Sequence, residues 1–351
     1  MNRSWMGRWL SLSGLTAMSL LVGCAHRPET ITHLRTGESM VFIGEQSAAL
    51  SSIPVRAPAP KVRSTYLAGT NTIVYTEGTD YVVDFAAGTL RRTENSRIPD
   101  FRKNKLFGQT EFDHSKFPGF GNAGFFAFVD YSTADGNPWP KQGSQAALLT
   151  KSAAKLRAGE SLKIVAFGDS ITAGGDATSP PLIFWRRWAD DLQTRYPRAK
   201  VTAINGATGG DDTIRGLERL QAKVIDEAPD LVLIGFGMND HNKGGVSPWQ
   251  FTENLKLLVT RLKAKTSAEV VLFSAFPPNP NWKFGSHRME DYAIATEQAA
   301  RESGVAYADV FRNWQALAAR KKPEDLLGNN INHPNDYGHW IYFQVFQSLG
   351  L

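Results

Sequence analysis

Apolar positions along the chain change their period twice, and the changes divide it. Residues 72–75 (TIVY), 81–85 (YVVDF) and 88–92 (GTLRR) read as successive strands. They are separated by turn residues at Glu77-Gly78 and Ala87-Gly88, and no helical period runs through residues 64–131. From residue 158 onward short apolar runs alternate with segments of 3.6-residue period. Strands are predicted at 162–167, 200–204, 230–235, 269–275 and 305–309. Helices are predicted at 182–196, 213–227, 248–265, 287–303, 311–321 and 337–348. Crossovers of this length require parallel pairing. The pattern therefore predicts an α/β region with a doubly wound, five-stranded parallel sheet and helices on both faces. A small β-sandwich or jelly-roll-like domain precedes it.

The first residues follow neither pattern. Arg3 and Arg8 precede an apolar run, residues 15–22, that ends in Leu21-Val22-Gly23-Cys24. This looks like a bacterial lipoprotein signal peptide, cleaved before a Cys24 that receives lipid. The run is too short to span a bilayer. Cys24 is the only cysteine, so the mature chain has no intrachain disulfide and must rest on core burial. Ala25 follows it, rather than an aspartate favouring inner-membrane retention, which points to the outer membrane of the cell envelope. The expected organisation is signal peptide 1–23, tether 24–63 with Pro54, Pro58 and Pro60 and with a strand over His33 to Phe42 as the alternative, β-rich domain and connection 64–157, and catalytic region 158–351. Within the β domain Phe117, Phe120, Phe125, Phe126, Phe128 and Tyr131 are expected mainly as core, with sugar stacking as the alternative. Trp139, between Pro138 and Pro140, is a candidate to close over the site.

Charge and composition exclude more than they suggest. A formal net charge of +5, two units of which leave with Arg3 and Arg8, is too small and dispersed for a nucleic-acid surface. Arg186-Arg187 and Lys321-Lys322 are read as solvated helix faces. His241 and His287 lack partners at metal-ligand spacing, so no metal and no cofactor are expected.

The chemistry concentrates in residues 162–174, LKIVAFGDSITAG. A strand delivers Gly168-Asp169-Ser170 to a tight turn ahead of a segment that can become helical. A serine there exposes its hydroxyl beside backbone N–H groups suited to an oxyanion, and is a candidate nucleophile. Thr172 stands where a nucleophile elbow would carry glycine, which argues against the α/β-hydrolase fold. Three further blocks follow in order: NGATGGDDT at 205–213, GFGMND at 235–240 and NNINHPNDYGH at 329–339. A serine hydroxyl needs a neighbouring base, a task suited to an imidazole.

This order of blocks resembles the SGNH hydrolases, the GDSL-like esterase and lipase superfamily, over about residues 158–351. The resemblance implies a flavodoxin-like sheet, Ser170 as nucleophile and His333 as base. It also implies an oxyanion hole from the Ser170 N–H, Gly210 and Asn239. The family's acid lies three residues before the histidine, and that position is Asn330 here. An asparagine carbonyl can orient imidazole but cannot stabilise imidazolium as a carboxylate does. Asp336 and Asp325 are the alternatives considered. Asp169 and Asp240 are assigned supporting roles, Asp211 and Asp212 a helix N-cap, and His339 a helix-start or packing role. Trp282 and Phe284, in the loop after the fourth strand, are candidates for a substrate wall.

The implied activity is ester hydrolysis through an acyl-serine intermediate. Envelope anchoring and the β domain favour acylated carbohydrate, O-acetyl groups on a polysaccharide or oligosaccharide, as substrate. The alternatives are a lipase, thioesterase or arylesterase of the same fold, or a non-catalytic glycan-binding lipoprotein.

Overall fold

The structure, a computed structural model, describes residues 32–109 and 121–351. The signal segment, Cys24, Phe117 and Phe120 lie outside the described residues.

The N-terminal half is built from two antiparallel sheets. Strands β1 (His33–Met40), β3 (Lys61–Arg63), β4 (Val74–Tyr75) and β7 (Ala127–Thr133) pair in the order β1-β7-β3-β4. Strands β2 (Ala48–Ala49), β5 (Tyr81–Asp84) and β6 (Thr89–Arg92) pair in the order β2-β6-β5. Side chains from both sheets, among them Met40, Val62, Tyr81, Leu90, Val129 and Tyr131, share one core. β4, β5 and β6 fall where the alternation predicts them. The expected tether does not hold from His33 onward, because β1 pairs with β7 along its length and its second half is buried. Its polar residues Glu38 and Ser39 read as linker but are satisfied, Glu38 by Ser51 and Lys321 and Ser39 by the Asp325 carbonyl.

Residues 132–157 are more than a connection, since α1 (Thr150–Ala158) forms within them and ends at Gly159 in the left-handed region. Trp139 is buried against Trp340 with ring centroids 5.6 Å apart, so it closes over no site.

The C-terminal half follows the predicted alternation. Strands β8 (Ser161–Gly168), β9 (Lys200–Asn205), β10 (Leu231–Gly235), β11 (Glu269–Phe273) and β12 (Ala306–Ala308) form an all-parallel sheet in the order β12-β11-β10-β8-β9. Five helices connect or flank them: α2 (Phe184–Arg195), α3 (Thr213–Lys223), α4 (Pro248–Lys265), α5 (Met289–Ser303) and α6 (Val310–Ala318). The short α7 (Pro323–Leu326) and the closing α8 (Asp336–Gln347) complete it. β10 is buried throughout and β8 from Ile164 onward, as apolar runs are when helices cover both faces. Each such Leu, Ile, Val or Phe contributes about 1.5–3 kcal/mol on leaving water. Start signals are local: Asp212 caps α3, Ser247 with Pro248 starts α4, and Asn335 caps α8 just after His333. No helix among the described residues is long and apolar enough to cross a membrane.

The strand order reverses between β8 and β10, which are neighbours although β9 lies between them in sequence. In such sheets the loops leaving the carboxyl ends at this point enclose the binding crevice. Ser170, Gly210 and Asn239 stand on the loops after β8, β9 and β10 respectively.

Candidate active site

β8 ends at Gly168 and hands the chain to Asp169-Ser170. The expected helix N-terminus beside the serine is absent, for α2 begins only at Phe184. Instead residues 169–175 coil into a tight turn, with Ala173 N–H donating to Asp169 O and Gly175 N–H to Ser170 O. Asp169 is buried and accepts the Ile171 N–H at 2.9 Å. Burial pushes its carboxyl up to about 7, against the backbone N–H groups that favour its charged form.

Ser170 Oγ lies 2.8 Å from His333 Nε2. The other ring nitrogen, Nδ1, lies 2.7 Å from Asp176 Oδ2. An ionised carboxylate only accepts, so the proton sits on Nδ1 and leaves Nε2 free to accept from the serine. Asp176 is the residue that motif reasoning misses. It lies six positions after the nucleophile rather than three before the histidine, and it adopts the left-handed region at φ 59°.

Two close approaches make this arrangement depend on glycine. A Cβ on Gly175 would come within 2.8 Å of His333 Nδ1, and one on Gly328 within 2.4 Å of Asp176 Cβ. The Gly174-Gly175-Asp176 run is the sequence signal that could have pointed to this acid, since glycines let the chain double back beneath an imidazole.

Asn330 does not hold the ring. Its Oδ1 is buried without a hydrogen-bond partner, and its carbonyl accepts from Asn279 Nδ2 at 2.9 Å. Its backbone is in the left-handed region, φ 62°, as the loop before His333 turns. Nor do the alternatives reach His333. Asp336 accepts the Thr178 N–H and hydroxyl, and Asp325 accepts the Val41 and Lys322 N–H groups. His333 is placed by Asn329, whose Oδ1 accepts the N–H groups of Ile331, Asn332 and His333.

The loops carrying Gly210 and Asn239 are tied together. Asp240 accepts from the Thr213 N–H at 2.9 Å, from its hydroxyl at 2.5 Å and from the Gly237 N–H at 3.1 Å. Burial raises its carboxyl to about 6, opposed first by the Thr213 hydroxyl bond. Asn239 Nδ2 donates to Asp211 O at 2.8 Å, which fixes the amide rotamer. Gly209 packs toward the nucleophile, with the position of an added Cβ 3.8 Å from Ser170 Cβ.

His339 is fully buried and its Nε2–H donates to Gly175 O at 3.1 Å, bracing the Ser170–Asp176 turn from below. Burial depresses its imidazole to about 4. His241 is likewise buried, donates from Nδ1 to Met238 O, and is lowered by burial to about 4. Trp282 is buried against His241, whereas Phe284 is half exposed. Phe126, Phe128 and Tyr131 are core, as expected, but the first two also line a cavity of about 290 Å³. That cavity is shared by Tyr66 and Leu67 of the N-terminal half and by Asp176 and Thr178 beside the site.

The family model for GDSL-like Lipase/Acylhydrolase matches residues 166–341. An arylesterase of Vibrio mimicus is 34% identical over 187 residues, 53% of this chain and 88% of that protein. The uncharacterized lipoprotein YqeF of Bacillus subtilis is 28% identical over 159 residues, 43% of this chain and 65% of that one. Among solved structures, a two-domain esterase active on acetylated mannans, co-crystallized with mannopentaose, aligns at TM-score 0.50 and 25% identity. The alignment covers 60% of this chain and 55% of that esterase, so the chain spans about half its length. The family match runs from within β8 into α8 and takes in Ser170, Asp176, Gly210, Asn239 and His333, and the chain belongs to the GDSL-like lipase/acylhydrolase family, the SGNH-type ester hydrolases.

Proposed function

We propose that this ester hydrolase removes O-acyl groups, principally O-acetyl, from a polysaccharide or oligosaccharide through an acyl-Ser170 intermediate. The observation that carries the mechanism is the continuous hydrogen-bonded run from Ser170 Oγ through His333 to Asp176, with distances of 2.8 and 2.7 Å. As Oγ attacks the ester carbonyl, its proton passes to His333 Nε2, and Asp176 stabilises the imidazolium from Nδ1. The carbonyl electron pair moves onto oxygen, where the Ser170 and Gly210 N–H groups and the second amide N–H of Asn239 receive it. Collapse breaks the ester C–O bond and His333 gives its proton to the departing sugar oxygen, which leaves as a hydroxyl. Water then repeats the sequence on the acyl-enzyme, releasing the carboxylic acid. Asp169 and Asp240 act as supports, the first within the nucleophile's turn and the second between the oxyanion loops.

The cavity beside Asp176 supports a hydroxyl-rich substrate. Its walls combine Tyr66, Phe126 and Phe128 with Ser64, Thr65 and the part-exposed Asp176. An acyl chain there would desolvate the Asp176 carboxylate and bring no donor, whereas a sugar brings donors. The likeness to an esterase active on acetylated mannans points the same way. The reading includes a lipid anchor on Cys24 and an envelope location at the outer membrane. This is supported by the sequence around that cysteine and by a relative named as a lipoprotein.

The test is a panel of acetylated mannan, xylan and their oligosaccharides beside p-nitrophenyl esters of rising chain length, with Ser170→Ala as control. Acetate release from a glycan with kcat/KM above that for any aryl ester is the expected result. A preference for long acyl chains with no glycan deacetylation would replace it by a lipase or thioesterase. Activity surviving in Ser170→Ala would end the acyl-enzyme mechanism.

A further inference from the structure

We infer that Asn122, in the N-terminal β half, is a positioning residue for His333 and Asp176, so that one buried side chain of this half helps set the geometry of the site. The inference rests on the proposed triad.

Asn122 is fully buried, and both its backbone and its side-chain donors reach the segment before His333. Its backbone N–H donates to Gly328 O at 2.6 Å, and its Nδ2 donates to Leu327 O at 2.9 Å. Its Oδ1 accepts from Asn104 Nδ2 at 2.7 Å, while Asn104 Oδ1 accepts the Leu106 N–H at 2.8 Å. The amide orientation is therefore fixed, because a flipped Asn122 would aim oxygen at a carbonyl.

The gripped residues touch both the serine's base and the acid behind it. Gly328 N–H donates to His333 O at 2.9 Å, and Leu327 pairs with Pro334. The Cα of Gly328 faces Asp176 so closely that no side chain fits between them. Residues 327–328 thus hold the backbone of His333 on one side and back the left-handed Asp176 on the other, and Asn122 holds residues 327–328. β1 braces the same segment at its flanks. Ser39 Oγ donates to Asp325 O at 2.6 Å, and Asn335 Nδ2 donates to Ser39 Oγ at 3.0 Å. Loss of the Asn122 grip lets the two-residue segment shift, and a displacement near 1 Å in a catalytic group costs about 10²-fold.

The test uses the full chain and p-nitrophenyl acetate, a substrate too small to report on glycan binding. Asn122→Ala lowers kcat about 10- to 100-fold with KM within about threefold of wild type. A positioning role has a further signature: in an Asp176→Ala background, Asn122→Ala adds less than about threefold. Leu90→Ala, which loosens the core of the same half away from the clamp, supplies the stability control and keeps wild-type kcat while folded. Should Asn122→Ala fail to fold, Asn104→Ala carries the test, releasing the Asn122 amide without removing its donors, with an expected loss of about three- to tenfold. The inference is overturned if the folded variant keeps wild-type kcat. It is equally overturned if Leu90→Ala loses as much, or if the losses multiply in full in the Asp176→Ala background. Wild-type activity in Asp176→Ala alone would remove the triad itself, and the inference with it.

Discussion

β1 and β8 are both eight residues long, and both lead into buried interior, but they are buried by different means. β8 is apolar from Ile164 to Phe167 and lies between neighbouring strands under helices, where one hydrocarbon neighbour serves about as well as another. β1 buries Glu38 and Ser39, which are stable there only because particular partners meet them. The Glu38 carboxylate accepts from the Ser51 N–H and hydroxyl and from the Tyr131 hydroxyl, and faces Lys321 Nζ at 3.0 Å with both side chains fully enclosed. Apolar burial supplies stability without saying which surface must meet which; buried charge supplies register at the risk of a large penalty if one partner is lost. In this molecule the second device lies on the face that holds the His333 segment.

The largest effect should separate the chemistry from its supports. Asp176→Asn is expected to lower kcat about 10⁴-fold, since the imidazolium loses its counter-charge, and Asn330→Ala less than tenfold. Steady-state kinetics on p-nitrophenyl acetate decides between them, and the opposite order would return the third position to Asn330.

Next comes the buried pair. Lys321→Ala should cost about 3–5 kcal/mol in urea unfolding, because it strands the Glu38 charge. Arg288→Ala, which removes the exposed partner of Asp291, should cost under about 1 kcal/mol. Equal losses would mean that the two kinds of burial do not differ as described. Asn239→Ala is a smaller perturbation of stability and acts mainly on the reaction. It should lower kcat about 10²- to 10³-fold, while the lost bond to the Asp211 carbonyl costs about 0.5–1.5 kcal/mol in urea unfolding.

The mildest contrast is in pH. His241 and His339 are held near 4 by burial, whereas unfolded histidine takes its proton near its ordinary 6.5. Their contribution to stability is complete above about pH 6.5 and is lost as pH falls toward 4, where the unfolded chain binds protons that the folded chain refuses. Asp169 and Asp240 have the opposite sign. The folded chain keeps a proton up to about 7 and about 6, which the unfolded chain releases near 3.8, so stability falls as pH rises through that window. His241→Asn should therefore raise stability at pH 5 relative to pH 7.5 by on the order of 1–2 kcal/mol over wild type. An unchanged difference in urea midpoints would show that His241 does not carry the acid sensitivity.

What was legible in the sequence follows the same division. The parallel strands and main helices stand within a few residues of their predicted places, because period and caps are local signals. Ser170 and His333 were visible as motif residues, but Asp176 was not, since the motif order directs attention to position 330 and away from the Gly174-Gly175 pair that precedes this acid. Lys321-Lys322 reads as a solvated run because lysine is seldom buried. Lys321 is enclosed nonetheless, and the partner that makes this possible stands at position 38. Arg187 was misread for a similar reason: it lies over the Tyr66 ring and donates to the Tyr66 hydroxyl and the Asp336 carbonyl. α1, with Lys and Arg among its alanines, lacks the strong apolar stripe that reveals longer helices.

The Ser39–Asn335 bond joins positions 296 apart, nearly the two ends of the described chain. Synthesis proceeds from the amino end, so β1 waits for Asn335 until both antiparallel sheets and the parallel sheet have been made. The nucleophile and the acid, six residues apart, emerge together, while the base follows the serine by 163 positions. A partly made chain therefore carries an unarmed serine. The same ordering makes the His333 segment the timekeeper of activity: a chain halted before residue 333 has its whole parallel sheet and no means of taking the serine's proton.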